Sequence, residues 1–228
     1  MAPIQGGARR ALRALRGGDS RKREGELGYW RRRLELEGTL GSGHLQRFYT
    51  SHFGLDPGFY RGRAVLDLGC GPRGTLEWSD MAAERVGLDP LADSYRELGI
   101  DRHAMTYVAA PAERMPFEDG HFDVVASFNS LDHVDNLDRA VGEIKRVVKP
   151  GGLFLLLTQL GHDPTWEEPQ DFSWEIVRRF EPELELLEER RLERAGSGLY
   201  DSLMADVPYE EARAEKRLGV LSAKFRKR

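Results

Sequence analysis

Glycine-rich turn, carboxylates and one acidic-histidine segment hold most of the chemistry this chain can offer. Asp67 follows the apolar run Ala64-Val65-Leu66, and the chain then turns through Gly69-Cys70-Gly71-Pro72-Arg73-Gly74. Glycines let a ligand approach the main chain with no Cβ in the way. A strand, a glycine turn and a helix in succession aim backbone N–H groups and the positive end of a helix dipole at whatever binds there. Alone, this is a weak signal for any nucleotide or nucleoside. A second carboxylate, Asp89, ends the run 85–89 and is followed by Pro90. It can accept hydrogen bonds from both hydroxyls of a ribose, or cap the helix expected from Leu91. The segment FNSLDHVDN sets Asn129, Asp132 and His133 after another apolar run. Asp132 and His133 could serve as acid or base, and His133 could equally be a packing residue. His44, His52 and His162 could reach the same place, although surface or helix-packing roles are the plainer reading. The lone Cys70 has no evident histidine partner, which favours packing over a nucleophile's role. The histidines are scattered and no carboxylate cluster has ligand spacing, so no metal site is expected.

The elements that must position these residues follow from periodicity. Short apolar runs predict strands at 64–66, 85–89, 105–110, 122–130 and 153–159, separated by helical patterns at 75–86, 91–98 and 136–149. Gly99 closes the second helix and a Pro-Gly-Gly stop closes the third. Strands alternating with helices mean a parallel sheet with helices on both faces. Beyond it, WEIVRRF reads as a helix, ELELLEERRLE as strand or helix, and LYDSLMADVPY as a strand. If the last two are both strands, AGSG joins them in an antiparallel hairpin at a sheet edge. Ahead of the first strand, Leu27, Trp30, Leu34 and Leu36, then Leu45, Phe48, Tyr49 and His52, recur at helical spacing with Ser42 as an N-cap. This pair predicts a helical cover at the strand ends, in which Trp30, Phe48, Tyr49 and His52 roof a site.

With 228 residues, 40% hydrophobic and 32% charged, the chain suits one α/β domain with extensions. No long apolar run and no secretory leader is evident, and a single cysteine needs no oxidising compartment, so a cytoplasmic location is expected. The net charge of −4 is unevenly spread. Residues 1–33 carry ten Lys or Arg against three Asp or Glu, and 212–228 carry seven against one. The domain reading is therefore a basic tail at 1–26, disordered or a loose helix, a domain at 27–211 with its cover at 27–60 and core at 61–211, and a basic tail at 212–228. Both tails are expected to be dispensable for ligand binding.

In order, VLDLGCGPRG, VGLDPL, PAERMPF, FDVVASFNSLDHVDN and EIKRVVKPGGLFLLL resemble the class I S-adenosylmethionine-dependent methyltransferases, in their small-molecule, methyltransferase-11-like branch. The resemblance implies a Rossmann-like, doubly wound sheet of seven strands ordered 3-2-1-4-5-7-6 with strand 7 antiparallel, and S-adenosyl-L-methionine as cofactor. On these motifs it implies that Asp67, Gly69, Cys70 and Gly71 hold the methionine part, Asp89 and Pro90 the ribose, and Ala112 and Glu113 the adenine. Asn129 would stand beside the sulfonium. Pro111 stands where the family often has Asp, and Arg73 where many members have Gly. Asp132 and His133 would be the catalytic pair, and Tyr49, His52 and His162 would meet a small-molecule acceptor.

The activity implied is in-line methyl transfer to an O, N or C nucleophile of a small or medium-sized molecule, with a base only where the acceptor needs one. A nucleic-acid methyltransferase or binder using the basic tails is a different reading. Against it, no Asn-Pro-Pro-Tyr-type motif and no catalytic cysteine pair is found. A cofactor-binding regulatory protein without transfer activity is a third. A dinucleotide enzyme would also place an acid at Asp89, but the short interval from Gly74 to Asp89 lacks its third loop glycine. No membrane span is expected, and the oligomeric state is not encoded in any motif.

Overall fold

The computed structural model describes residues 5–196, 198–212 and 217–228, with side chains from residue 21 onward. The chain divides into two compact units, Met1–Leu40 and Gly41–Arg228. The first holds the helix α1 (Gln5–Glu37), which runs unbroken across the boundary expected at residue 26 and closes at Gly38, φ +73°, whose N–H meets the Leu34 carbonyl at 2.8 Å. Trp30 belongs to this unit.

The second unit is built on one seven-stranded sheet ordered β3-β2-β1-β4-β5-β7-β6. Its strands are β1 (Ala64–Leu68), β2 (Glu84–Leu88), β3 (Thr106–Val108), β4 (Phe122–Phe128), β5 (Val148–Leu160), β6 (Leu184–Glu193) and β7 (Gly219–Lys227). Strands β1 to β5 pair in parallel, and β7 runs antiparallel to both β5 and β6. Alternation along each strand splits the core into two layers. Leu66, Leu68, Val125, Phe154 and Leu156 face one side with α3 (Leu137–Val147), whose Ala140, Val141, Ile144 and Val147 make a buried stripe. The Asn136 side chain caps α3 by accepting from Arg139 N at 3.0 Å. Val65, Val124, Ala126, Leu155 and Leu157 face the other side, packed with Leu45, Phe48, Tyr49, Phe53 and Tyr60.

Several expectations change here. The segment after the glycine turn, 75–83, is a series of turns and not a helix. LYDSLMADV forms the helix α4 (Leu199–Ala205) because Leu199, Ser202 and Leu203 are buried at helical spacing, so the expected hairpin through AGSG does not exist. The partner of β6 is instead β7, drawn from the segment read as a basic tail. The domain therefore does not stop at 211. Two of the cations that gave that segment its tail-like composition are used within the fold: Lys224 Nζ donates to the Phe53 carbonyl at 2.8 Å and pairs with Glu188 at 2.7 Å, and Lys227 Nζ donates to the Lys145 and Val148 carbonyls at 2.7 and 2.8 Å. The cover also divides differently. Its second half, the α2 turn (Gln46–Tyr49) with flanking 3-10 turns, lies on a sheet face as a packing layer.

Candidate functional site

In an open α/β sheet, ligands sit outside the carboxyl ends of the strands where strand order reverses, which here is between β1 and β4. Asp67 and Asp89 lie at adjoining strand ends and both are buried. Asp67 Oδ2 accepts from Tyr49 Oη at 2.9 Å and from Thr75 Oγ1 at 2.5 Å. Burial nonetheless pushes its carboxyl up to about 7, against the opposite pull of those two donors. Asp89 Oδ2 accepts from Gly71 N at 3.1 Å and its Oδ1 from Leu91 N at 2.8 Å. The cap at Leu91 therefore exists, and it does not exclude a ligand, because each carboxylate oxygen has a second lone pair to offer a hydroxyl.

The turn between them is folded back onto β2. Gly69, φ +66°, donates to the Leu88 carbonyl at 2.8 Å, and a Cβ there would stand 2.3 Å from Ser130 Cβ, so only glycine fits. Cys70 is buried against Gly87 of β2, and burial holds its thiol well above its ordinary range, which suits a packing residue and not a nucleophile. The far side of the turn is pinned from two directions, with Ser42 Oγ donating to the Gly74 carbonyl at 2.6 Å and Gly74 N to Tyr107 Oη at 3.0 Å. Ser42 makes no side-chain cap and instead ties the α2 segment to this loop.

At the other side of the switch point, Asn129 ends β4 in the left-handed region, φ +52°, and its Oδ1 accepts from Gln159 Nε2 at 2.9 Å. Arg194 donates in turn to Gln159 Oε1. Ser130 Oγ donates to the Leu68 carbonyl at 2.7 Å, locking the ends of β1 and β4 together. The short turn Leu131–His133 follows. Asp132 is fully buried, and burial raises its carboxyl above the ordinary range, with His133 pulling it down and Glu168 pushing it up. His133 Nε2 stands 4.0 Å from Asp132 Oδ1 and 3.7 Å from Glu168 Oε1. His162, on the loop after β5, has Nδ1 4.0 Å from Glu168 Oε2. Residues far apart in sequence thus meet in one cluster that spacing alone did not show.

The remaining site candidates divide between the two ends of the sheet. Pro90 is exposed, Ala112 packs on the core, and Glu113 Oε1 accepts from Asp135 N and Asn136 N at 2.7 and 3.0 Å, bridging the adenine-type loop to the segment after His133. Tyr49 is buried beside Phe128 and Trp78 with its hydroxyl committed to Asp67. His52 is not brought to the strand ends: its Nε2 meets Ser222 Oγ of β7 at 2.8 Å, and burial, with Arg190 nearby, pushes it down to about 4. His44 is exposed. A cavity of about 460 Å³ lined by Arg63, Asp123, Lys149 and Arg226 lies at the amino ends of β4 and β5, the wrong end of a parallel sheet for a ligand of this type.

Thr75, Ser130, Gln159, Tyr107 and Glu168 were absent from the sequence reading. The only signal for Thr75 was its place just after the turn. Gln159 and Glu168 needed the β4–β5 pairing to be known.

An antiparallel β7 inserted between β5 and β6 gives the strand order expected of the class I S-adenosylmethionine-dependent methyltransferase fold. The comparisons agree with a methyltransferase: residues 66–156 match the methyltransferase domain family. It is 39% identical over 99 residues to the sterol 4-C-methyltransferase strm-1 of Caenorhabditis elegans, covering 40% of this chain and 29% of that one. It is 32% identical over 157 residues to a malonyl-[acyl-carrier protein] O-methyltransferase of Enterobacter lignolyticus, covering 67% and 61%. The chain thus spans less than two thirds of the length of these curated relatives. Its fold is similar to a putative methyltransferase from Bacillus halodurans, with TM-score 0.58, 18% identity and coverage of 80% and 98%. Among the described residues, no helix is long and apolar enough to cross a membrane.

The cofactor of this class is S-adenosyl-L-methionine, and the residues present fit it. The Gly71–Asp89 bond brings the turn amides and the buried Asp89 carboxylate, an acceptor of the kind a ribose diol needs, into one small volume.

Proposed function

We propose that this chain is an enzyme that transfers a methyl group from S-adenosyl-L-methionine to an O, N or C nucleophile of a small or medium-sized molecule. The observation that carries this reading is the pairing of Gly71 N with Asp89 beside the Asp67–Tyr49–Thr75 network, at the strand ends where such a cofactor binds. In this reading Asp89 accepts from the ribose hydroxyls, the amides of Gly69 to Gly71 with Asp67 hold the methionine end, and Ala112 and Glu113 border the adenine. When bound, the cofactor supplies an electrophilic methyl on a positively charged sulfur. The chain's own part is alignment and exclusion of water: Asn129, held by Gln159, sets the floor beside the reacting centre, and the loop 161–170 walls it. In this reading His133 and Asp132 would take a proton from an acceptor that needs it.

The relatives, a sterol 4-C-methyltransferase and a malonyl-[acyl-carrier protein] O-methyltransferase, support a small or medium-sized acceptor group without selecting one atom. The test is S-adenosylhomocysteine release from labelled cofactor against a panel of phenols, carboxylic acids, amines and sterol-like alcohols. Release that depends on one acceptor class is expected. Cofactor binding with no release for any class would favour a regulatory protein.

A further inference from the structure

Three aspartates of the described chain are buried, and they are not equivalent. Asp67 and Asp89 accept hydrogen bonds, whereas neither oxygen of Asp132 has a hydrogen-bond partner although its side chain is 0% exposed. A desolvated carboxylate without donors is costly and calls for a cation or a proton. One atom each from Asp132, His162 and Glu168 lie within 4.8 Å of one another. Atoms ligating a single tetrahedral ion at about 2.1 Å stand about 3.4 Å apart, so closing the longest separation by up to about 1.4 Å would complete the set. The His162 Nδ1 lies 3.1 Å from the Asp163 carbonyl, and with Nδ1 donating there, Nε2 carries a lone pair, is buried and has no hydrogen-bond partner. A ring held by a carbonyl on one nitrogen and open on the other is the arrangement of a metal-ligating imidazole.

The segments bearing these side chains are also tied together. Gln170 N donates to the Asp132 carbonyl at 3.3 Å and Gln170 Nε2 to the Val134 carbonyl at 2.9 Å. Thr165 N donates to the Glu168 carbonyl at 2.9 Å and Glu168 N to Thr165 Oγ1 at 2.9 Å, fixing the turn that presents Glu168. Two loops from different strands are thereby held face to face with their ligand atoms inward.

We propose that Asp132, His162 and Glu168 bind one divalent transition-metal cation between the carboxyl ends of β4 and β5, with His133 at its edge. Mixed imidazole and carboxylate donors favour ions of the zinc type over magnesium or calcium. Beside Asn129, the ion would hold an oxygen-bearing or anionic acceptor and polarise it. That role rests on the methyltransferase reading; the binding of the cation does not.

The full chain, stripped with a chelator and desalted, is titrated with ZnCl2 by calorimetry near neutral pH, and separately with S-adenosylhomocysteine. One Zn2+ per chain is expected, with affinity falling at least tenfold in Asp132→Asn, His162→Ala and Glu168→Gln. Zn2+ should raise the melting temperature of the parent protein alone, and Asp132→Asn should melt higher than the parent without metal, since it removes the unpaired charge. His162 and Glu168 lie on a loop, so their variants remain informative if Asp132→Asn misfolds. No Zn2+ binding, or equal affinity in the parent and the loop variants, would overturn the proposal. Retained S-adenosylhomocysteine binding with no Zn2+ binding overturns the cation site alone, and the reverse pattern overturns only the methyltransferase reading.

Discussion

The two sides of the strand-end cleft treat a buried carboxylate in opposite ways. At the β1–β2 side, Asp67 and Asp89 are met by the Tyr49 and Thr75 hydroxyls and by the Gly71 and Leu91 amides. At the β4–β5 side, Asp132 is buried with no hydrogen-bond donor, and the groups around it are themselves titratable. Satisfied polar groups preorganise a rigid site, whereas unsatisfied ones leave a demand that a ligand, proton or ion has to meet. In the proposed function, the cofactor takes the first side and the acceptor the second.

The largest disruption expected is removal of residues 218–228. This deletes β7 and leaves β5 and β6 without their common partner, so circular dichroism melting should show no cooperative transition. The effect falls first on the β4–β5 side, which β7 supports.

Next is the pH dependence carried by Asp67. Its folded value of about 7 lies above the ordinary 3.8, so the folded state keeps a proton that the unfolded state has lost between those values. Its contribution to stability is full below pH 3.8, falls as pH rises, and is gone above about 7. The ceiling is about 4 kcal/mol, and denaturant unfolding across that window should show the parent losing stability relative to Asp67→Asn by a part of it.

Asp89→Ala should weaken S-adenosylhomocysteine binding by about 1–3 kcal/mol, since the proposed ribose acceptor is lost and the Gly71 and Leu91 amides lose theirs. Calorimetry gives this directly. Smallest is Tyr49→Phe, which removes one of the two Asp67 donors and should cost about 1 kcal/mol of stability in denaturant unfolding. It should also move the Asp67 transition to higher pH, because that hydrogen bond lowers the carboxyl's value.

The parallel core was legible because β1, β4 and β5 are apolar runs buried on both faces, and turns such as Gly99 announce themselves by residue type. The sequence reading went astray where local pattern and tertiary use diverge. Gly219–Lys227 looked like a tail because it is basic, yet its lysines reach carbonyls that only the assembled fold supplies. LYDSLMADV reads as a strand in isolation, and its helix is chosen by burial of Leu199 and Leu203. The Asp67 and Asp89 side of the site was readable from one contiguous stretch. Asp132, His162 and Glu168 belong to separate loops, and their meeting depends on β4 pairing with β5.

The most direct test of the central claim is calorimetric titration of the full chain with S-adenosylhomocysteine and with NAD under the same conditions, with Asp89→Ala alongside. The account expects one S-adenosylhomocysteine per chain, weaker binding by Asp89→Ala, and no heat from NAD. Binding of NAD with no response to S-adenosylhomocysteine would contradict it.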